Sequence, residues 1–328
     1  MTDTVPARGS LRSRGAALVS ALTLRQISAV LPPEQARGLW LSRRIVAGIM
    51  DAFGPSLAGT GVELIDAVQP DGHRVVGEWV RAPGVPARQG AIYFVHGSGY
   101  ALCSPRTHRR LTAWLSRLTG LPVFAIDYRL APRHRFPTAA DDVRAGWDWL
   151  TRQHAAEHIV IAGDSAGGHL AVDLLLRPDV AASGPAALVL FSPLIDLTFG
   201  LAAAREALSR DPAIRTVDAA RLVAMYCGSV DTAHQRLRLD VAGGPPLPPT
   251  LIQAGGVEML VADARHLAAH IRAGGGNCEL QVWPDQVHVF QALPRLSPEA
   301  AKAMAHVARF IDTSLRARGF DAAAGKAG

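Results

Sequence analysis

The chain has 328 residues, of which 49% are hydrophobic and 19% are charged, so it holds enough apolar surface to fold and is not a disordered or fibrous polypeptide. Its formal charge is +6, but the arginines are scattered and no five-residue block is basic, so no nucleic-acid partner is expected. No apolar run reaches the roughly 18 residues that cross a bilayer, which argues against stable membrane insertion and leaves an anionic membrane surface open.

The first predicted unit is a helical segment over residues 1–60. Apolar periodicity over 39–49 indicates a helix. The proline pair at 32–33 interrupts the helical pattern upstream of this helix. Residues 16–24 follow three arginines and loosely imitate a secretory signal, but Arg25 interrupts the apolar stretch and no cleavage site follows promptly. We therefore interpret this stretch as an amphipathic helix rather than a signal peptide.

Seven short runs rich in β-branched or aromatic residues then predict strands. They are 75–80, 91–95, 122–126, 158–162, 187–191, 250–254 and 279–283. Most of them are apolar throughout, which is typical of strands covered on both faces. The helical segments between them lie near 106–118, 138–154, 166–176, 261–273 and 298–317. This alternation predicts an α/β protein with a doubly wound parallel sheet.

One interval, between the strands 187–191 and 250–254, is much longer than a single crossover helix. Helical patterns at 202–208 and 217–227 suggest an insertion over the carboxyl edge of the sheet, where ligands bind in open α/β sheets. We expect this insertion and the N-terminal segment to form one cap. The predicted division is 1–60 and 198–245 for the cap, 61–197 and 246–318 for the core, and 319–328 for a flexible tail.

The sharpest motif is GDSAGG at 163–168, directly after the strand 158–162 and at the start of a helix. A serine nucleophile on a strand–turn–helix elbow needs small neighbours on both sides, and the helix N-terminus directs N–H groups at a developing oxyanion. A second glycine turn, HGSGY at 96–100, also follows a strand and can supply further amides. The pattern predicts a nucleophilic Ser165 beside an oxyanion hole.

A serine hydroxyl needs a base, and the base needs an orienting acid. His288 lies in the loop after the last predicted strand, where it can reach Ser165, and is the predicted base among twelve histidines. Glu258 stands at the turn after the penultimate strand and is the predicted acid. Asp263, five residues later, remains the alternative.

Four motifs in order resemble the hormone-sensitive-lipase-like carboxylesterases, the HGGG-type, family IV esterases of the α/β-hydrolase superfamily. They are HGSGY, the run DYRLAPRHRFPTAADD at 127–142, GDSAGG, and HVF at 288–290. The order Ser165, Glu258, His288 is also that of α/β-hydrolases. The resemblance covers about residues 75–315. It implies a mostly parallel eight-stranded sheet with helices on both faces, a helical cap, and ester hydrolysis without metal or organic cofactor.

Carried over by position, the resemblance makes Ser165 the nucleophile, His288 the base and Glu258 the orienting acid. The expected oxyanion donors are the amides of Ser98, Gly99 and Ala166, with Gly97 shaping their turn, and Tyr100 and Phe199 are candidates for the substrate pocket. The sequence departs from the family at Ser98, which replaces a glycine, at Glu258, where aspartate is frequent, and at Arg133 and Arg135, where acidic and proline residues are common.

The predicted function is that of a serine carboxylesterase for short- to medium-acyl esters, working through a Ser-His-Glu triad and an acyl-enzyme. The alternatives are hydrolysis of another acyl bond, as in an amidase, deacetylase or lipase, and a non-catalytic ligand-binding homologue. The expected partner is a small-molecule ester, and a homodimer is left open. Three widely spaced cysteines indicate reduced thiols and a cytoplasmic location.

Overall fold

A computed structural model describes residues 5–86 and 90–320. Its strands are β1 (Gly61–Val68), β2 (Arg74–Arg81), β3 (Ala91–Val95), β4 (Val123–Ile126), β5 (Ile159–Asp164), β6 (Ala187–Phe191), β7 (Thr250–Gly255) and β8 (Cys278–Trp283). They form one sheet in the order β1-β2-β4-β3-β5-β6-β7-β8. The pairs β1–β2 and β2–β4 are antiparallel and the others are parallel. The α/β class and the eight-stranded, mostly parallel sheet are confirmed.

Eleven α-helices accompany the sheet in the described ranges. They are α1 (Leu11–Leu22), α2 (Leu24–Val30), α3 (Ala36–Phe53), α4 (Pro105–Thr119), α5 (Thr138–Thr151), α6 (Ala166–Leu175), α7 (Pro178–Ser183), α8 (Gly200–Leu208), α9 (Thr216–Cys227), α10 (Val261–Ala273) and α11 (Glu299–Arg316). The side chains of α5, α6 and α10 pack in one core cluster with the sheet, and those of α4 and α11 pack in another. The helices therefore cover both faces.

The central strands show why their sequences are apolar throughout. Alternate residues of β3 divide between the two clusters: Tyr93 and Val95 belong to one, Ile92 and Phe94 to the other. All four are fully buried. Because successive side chains in a strand point to opposite faces, a strand covered on both sides has no position for an exposed polar residue.

Two elements of the structure, β1 and α7, were not predicted from the sequence pattern. Strand β1 is largely exposed and pairs only along one edge, with β2, so it lacks the pattern of a buried strand. Helix α7 has six residues, too few to show a helical period. The seven predicted strands and the seven helices predicted after residue 100 are all present, with ends that differ by up to three residues. The helix predicted over 39–49 is longer at both ends, and the stretch 16–24 falls on α1 and the start of α2.

The regions outside the sheet carry further helices. Helices α1, α2 and α3 fall within residues 1–60, and α8 and α9 fall between β6 and β7. Across the described ranges, none of the helices combines the length and apolarity needed to cross a membrane. Of the expected tail, residues 321–328 lie outside the described residues, whereas Phe320 packs against the core and the ring of His158.

The order of the strands fixes where a site can form. From β3 the chain first moves outward through α4 to β4, and then crosses back through α5 to β5 on the other side of β3. The carboxyl ends of β3 and β5 thus flank the point where the direction of winding reverses. In open α/β sheets this switch point is where ligands bind.

Candidate active site

Ser165 occupies a strained turn between β5 and α6. Its backbone has φ 50° and ψ −122°, a region that costs a residue with a side chain about 1–3 kcal/mol. Its N–H donates to the carbonyl of Phe191 (3.0 Å), and its own carbonyl accepts from the amides of Gly168 (2.9 Å) and Leu194 (3.0 Å). These bonds hold the strained residue in place while its side chain lines a cavity.

The elbow also depends on glycine, because its backbone passes very close to β3. A Cβ on Gly167 would overlap the carbonyl oxygen of Val95 and lie 2.6 Å from that of His96. A Cβ on Gly163 would lie 2.9 Å from the carbonyl of Gly167. The small residues of the motif therefore allow the start of α6 to pack directly against the end of β3.

We expect Gly167→Ala to destabilise the protein by about 1–3 kcal/mol, since the new methyl group cannot be accommodated without moving β3 or α6. The matched control is Gly48→Ala in the interior of α3, where a Cβ meets only open space. That change should stabilise the protein by about 1 kcal/mol through helix propensity. Urea unfolding of both variants measures the difference; equal stability of the two would contradict the close packing.

The glycine turn after β3 reverses the chain beside the elbow. Ser98, Gly99 and Tyr100 all have positive φ, of 79°, 59° and 60°. A Cβ on Gly97 would lie 2.8 Å from the Cβ of Ser165, so the turn packs closely against Ser165. Among the described residues, the amides of Ser98 and Gly99 donate to no protein acceptor. Two unused N–H groups therefore lie close to the serine.

The amide of Gly97, in contrast, is already used. It donates to Asp164 Oδ1 at 3.0 Å, and His108 Nε2 lies 3.2 Å from the same oxygen. Asp164 is buried; burial would raise its pKa, but the charge and hydrogen bond of His108 hold the pKa below its ordinary value. This carboxylate, adjacent to Ser165 in the chain, ties the glycine turn to the elbow and to α4.

A second brace lies behind the turn. The ring of Tyr128 stacks on that of His96 with centroids 4.2 Å apart, and its hydroxyl donates to the His96 carbonyl at 2.7 Å. Burial lowers the pKa of His96 to about 3, so this imidazole is neutral. His96 supports the backbone of the turn.

His288 and Glu258 are in contact. The distance from His288 Nδ1 to Glu258 Oε2 is 2.5 Å, and the Glu258 side chain is fully buried. The other carboxylate oxygen of Glu258 accepts from the amide of Gly255 at 2.7 Å. Burial alone would lower the pKa of His288, but the charge and hydrogen bond of Glu258, with smaller contributions from Asp211 and Asp164, raise it above 6.5.

The loop that carries His288 is fixed from two sides. The amide of Val289 donates to the hydroxyl of Ser192, at 3.1 Å, just after β6. A Cβ on Gly255 would lie 2.7 Å from the Val287 carbonyl, so glycine is needed where the loop crosses the end of β7. Ser192 could not be assigned a role from its sequence position, because its partner is 97 residues away in the chain.

Asp263 lies elsewhere. It is buried in the first turn of α10, and its Oδ1 accepts from the amides of Ile195 and Asp196, both at 2.8 Å. Burial, only partly offset by these amides, raises its pKa to about 7. The structure therefore brings Glu258, and not Asp263, to the imidazole.

The buried carboxylate of Asp211 connects the turn that carries Glu258 to the region between α8 and α9. Asp211 accepts from Met259 N at 2.8 Å through one oxygen, and from Ala213 N and Ile214 N through the other. Arg25 in α2 donates to the backbone carbonyls of Asp211 and Ile214. The residue after Glu258 is thus tied to the N-terminal helices through the insertion, a connection that the sequence did not reveal.

Ser165, His288, Ser98 and Gly99 all line one cavity of about 310 Å³. Its remaining walls are mainly apolar and come from α1, α2, α3 and α9 as well as from the sheet edge. Phe199 is among the lining residues. Tyr100 is not among them: it is fully buried and stacks on Tyr226, with centroids 4.0 Å apart, because the turn directs it into the core.

The chain is similar in sequence and fold to known proteins. Residues 92–292 match a family with the alpha/beta hydrolase fold. The carboxylesterase/phospholipase LipF of Mycobacterium tuberculosis is 37% identical over 245 residues, covering 71% of this chain and 65% of LipF. The chain thus spans slightly less than two thirds of that relative. Esterase LipU of the same organism is 37% identical over 248 residues, covering 71% of this chain and 82% of LipU.

The fold comparison gives the same result. The crystal structure of an esterase from the bacterial hormone-sensitive lipase family has a TM-score of 0.80 and 28% sequence identity, covering 93% of this chain and 99% of that one. The resemblance drawn from the four motifs is therefore confirmed. The chain belongs to the α/β-hydrolase fold family, within its hormone-sensitive-lipase-like branch.

Proposed function

We propose that the protein is a serine carboxylesterase that hydrolyses short- to medium-acyl esters through Ser165, His288 and Glu258. The observation that carries this proposal is the contact of Glu258 with His288 Nδ1 beside a cavity that His288 shares with Ser165. Since Nδ1 is occupied by the carboxylate, Nε2 is the ring nitrogen that can accept the serine proton. The esterase names of both relatives support the same reaction class.

The proposed reaction is a two-step acyl transfer. Ser165 Oγ attacks the ester carbonyl carbon and its proton passes to His288 Nε2. The tetrahedral intermediate then collapses, the ester C–O bond breaks, and the alcohol leaves with the proton from His288. Water, deprotonated by the same nitrogen, attacks the acyl-enzyme, and the acid is released as Ser165 regains its proton. Glu258 stabilises the imidazolium in both steps.

The proposed oxyanion hole consists of the amides of Ser98, Gly99 and Ala166. The first two donate to no described protein acceptor, and the third is the first residue of α6, whose amide has no acceptor within the helix. Developing negative charge on the carbonyl oxygen would meet these N–H groups and the positive end of the helix dipole. Gly97 contributes to the shape of the turn, since Asp164 already takes its amide.

The proposed acyl range follows from the cavity. A volume of about 310 Å³ lies at the lower end of the roughly 300–1,000 Å³ of typical ligand pockets. We also propose that residues 1–60 and 198–245 form the cap, since α1, α2, α3 and α9 supply apolar wall residues. Purified protein assayed on p-nitrophenyl esters from acetyl to dodecanoyl should be fastest at the short to middle lengths, with anilides far slower.

A receptor without activity is the second function that the fold permits. A complete constellation of serine, imidazole and buried carboxylate disfavours it, because a binder has no use for a polarised base. If none of the esters or anilides in that panel is hydrolysed, the binder is the better interpretation.

The rate should depend on pH in a direction set by His288. The base must be neutral, and Glu258 raises the pKa of His288 above its ordinary value of 6.5. We therefore expect kcat/KM to be low in acid and to rise with pH through an inflection above 6.5. Rates on p-nitrophenyl acetate from pH 5 to 9 measure this inflection, and an inflection well below 6.5 would contradict the assignment of the base.

A further inference from the structure

Helix α1 presents its bulky apolar side chains to solvent. Leu11, Leu18 and Leu22 are 83%, 62% and 69% exposed, and Val19 is 59% exposed. At 100° per residue, positions 11, 18 and 22 lie within about 40° of one another and position 19 lies about 60° to one side, so these side chains share one face. We call this face, defined by Leu11, Leu18, Val19 and Leu22, the outer face of α1.

The opposite face carries small and polar residues and is held against the protein. Ser13 is buried and its hydroxyl donates to Glu299 Oε2 at 2.5 Å. The amide of Gly9, just before the helix, donates to Asp285 Oδ2 at 2.9 Å. Ala16 and Ser20 line the cavity that contains Ser165. An ordinary surface helix buries its leucines and exposes its polar face. In α1 the polar face is buried and the leucines are exposed.

Arginines border the outer face on both sides. At 100° per residue, Arg12 lies on one side of the leucine row and Arg14 on the other, and Arg8 precedes the helix. All three side chains are exposed. None of them pairs with a carboxylate within residues 5–86 and 90–320. The helix therefore combines an apolar stripe with unneutralised positive charge at its edges.

We propose that the outer face of α1 docks on an anionic lipid surface. The leucines would enter the boundary between headgroups and acyl chains, while the long side chains of Arg12 and Arg14 reach back to the phosphates. The charge argues against a second copy of this chain, since a symmetric pairing of this face would bring the arginines together. The docking goes beyond ester hydrolysis itself.

The docking has a consequence for substrate supply. Because Ala16 and Ser20 line the cavity from the other side of the same helix, a docked protein holds its cavity about one helix diameter, roughly 10 Å, from the lipid. Esters that partition into the membrane would then reach Ser165 with a short path through water. This consequence depends on the proposed esterase function, but the docking does not.

Flotation of the full chain with vesicles tests the docking. We expect wild type to float with phosphatidylcholine vesicles that contain phosphatidylglycerol, to bind pure phosphatidylcholine weakly, and to be released by high salt. Leu18→Glu/Leu22→Glu should abolish flotation. Arg12→Gln/Arg14→Gln should weaken binding to the anionic vesicles by about 25-fold, given roughly fivefold per arginine near an anionic surface.

The controls make the same chemical changes elsewhere. Leu64→Glu/Leu208→Glu alters two exposed leucines outside α1, and Arg238→Gln/Arg318→Gln removes two exposed arginines; both should float like wild type. Turnover of the water-soluble ester p-nitrophenyl acetate should be unchanged in all four variants, because none of these residues lines the cavity. This readout separates failure of docking from failure of the esterase assignment.

Three results would overturn the docking. The first is recovery of all wild-type protein in the lower fractions with both kinds of vesicle. The second is a loss of flotation by the control pairs that is as strong as the loss by the α1 pairs. The third is a dimer in sedimentation velocity that Leu18→Glu/Leu22→Glu dissociates, together with no binding of wild type to vesicles, in which case the outer face is a contact between copies.

Discussion

Replacing Ser165 with alanine is expected to lower kcat for p-nitrophenyl butyrate by at least about 10⁴-fold. The physical reason is that the proposed acyl-enzyme forms on the hydroxyl of Ser165, which alanine lacks. The nearby hydroxyl of Ser98 accepts from Cys103 Sγ at 2.8 Å and lies on the glycine turn, not at the elbow. Steady-state hydrolysis by purified variant and wild type gives the ratio directly.

The control for this variant is Ser209→Ala, an exposed serine just after α8. It should retain full activity. The thermal midpoint of Ser165→Ala should match or exceed that of wild type, since removal of the hydroxyl leaves the backbone bonds of the elbow in place. Ester hydrolysis within tenfold of wild type by Ser165→Ala would reject this serine as the nucleophile.

Glu258→Gln is expected to have the second largest effect, a drop of roughly 10³–10⁴-fold in kcat. The amide side chain keeps the size of glutamate and can still accept from Gly255 N, but it carries no charge to stabilise the imidazolium. It also removes the main influence that raises the pKa of His288. The acid inflection of the residual activity should therefore move to lower pH.

Asp263→Asn is the matched control, and it decides between the two candidate acids. Asparagine can still accept from the amides of Ile195 and Asp196 through its oxygen, and it resembles the protonated form that burial favours, with a pKa of about 7 for this carboxyl group. We expect less than about fivefold loss in kcat. A large loss in Asp263→Asn with a small one in Glu258→Gln would reverse the assignment.

The sheet could be predicted because each core strand contains enough information within itself. β3 is apolar at every position, and β5 carries no polar side chain before Asp164 at its carboxyl end. This pattern can be read without knowledge of the neighbouring strands. β1 could not be predicted in the same way, since its pattern is set by an exposed edge and a single partner, β2. The number of strands, eight, came from the resemblance, and their order in the sheet was not predicted.

The same distinction between local patterns and long-range contacts applies to the residues of the candidate site. Ser165, Glu258 and His288 each follow a recognisable strand, so a common place at the carboxyl edge of the sheet could be inferred from the sequence. Asp164 and Asp211 could not be assigned a role, because their partners are distant along the chain: His108 is 56 residues from the first, and Met259 is 48 residues from the second. Such contacts exist only after folding.

Tyr100 shows a further limit. Its place in the glycine turn favoured a pocket role. The direction of a side chain in a turn, however, depends on backbone angles that the amino-acid sequence does not specify. Three successive positive φ values turn this ring toward Tyr226 in the core. Phe199, a pocket candidate on the insertion side, does line the cavity.

The most direct measurement of the central claim is covalent trapping with a fluorophosphonate, followed by digestion and mass spectrometry of the labelled peptide. The reagent reacts only with a serine that a neighbouring base activates and that lies beside hydrogen-bond donors for the developing oxyanion. We predict one adduct, on Ser165, with labelling strongly slowed in Glu258→Gln and absent in Ser165→Ala. An adduct on a different residue, or an unlabelled wild-type protein, would contradict the account.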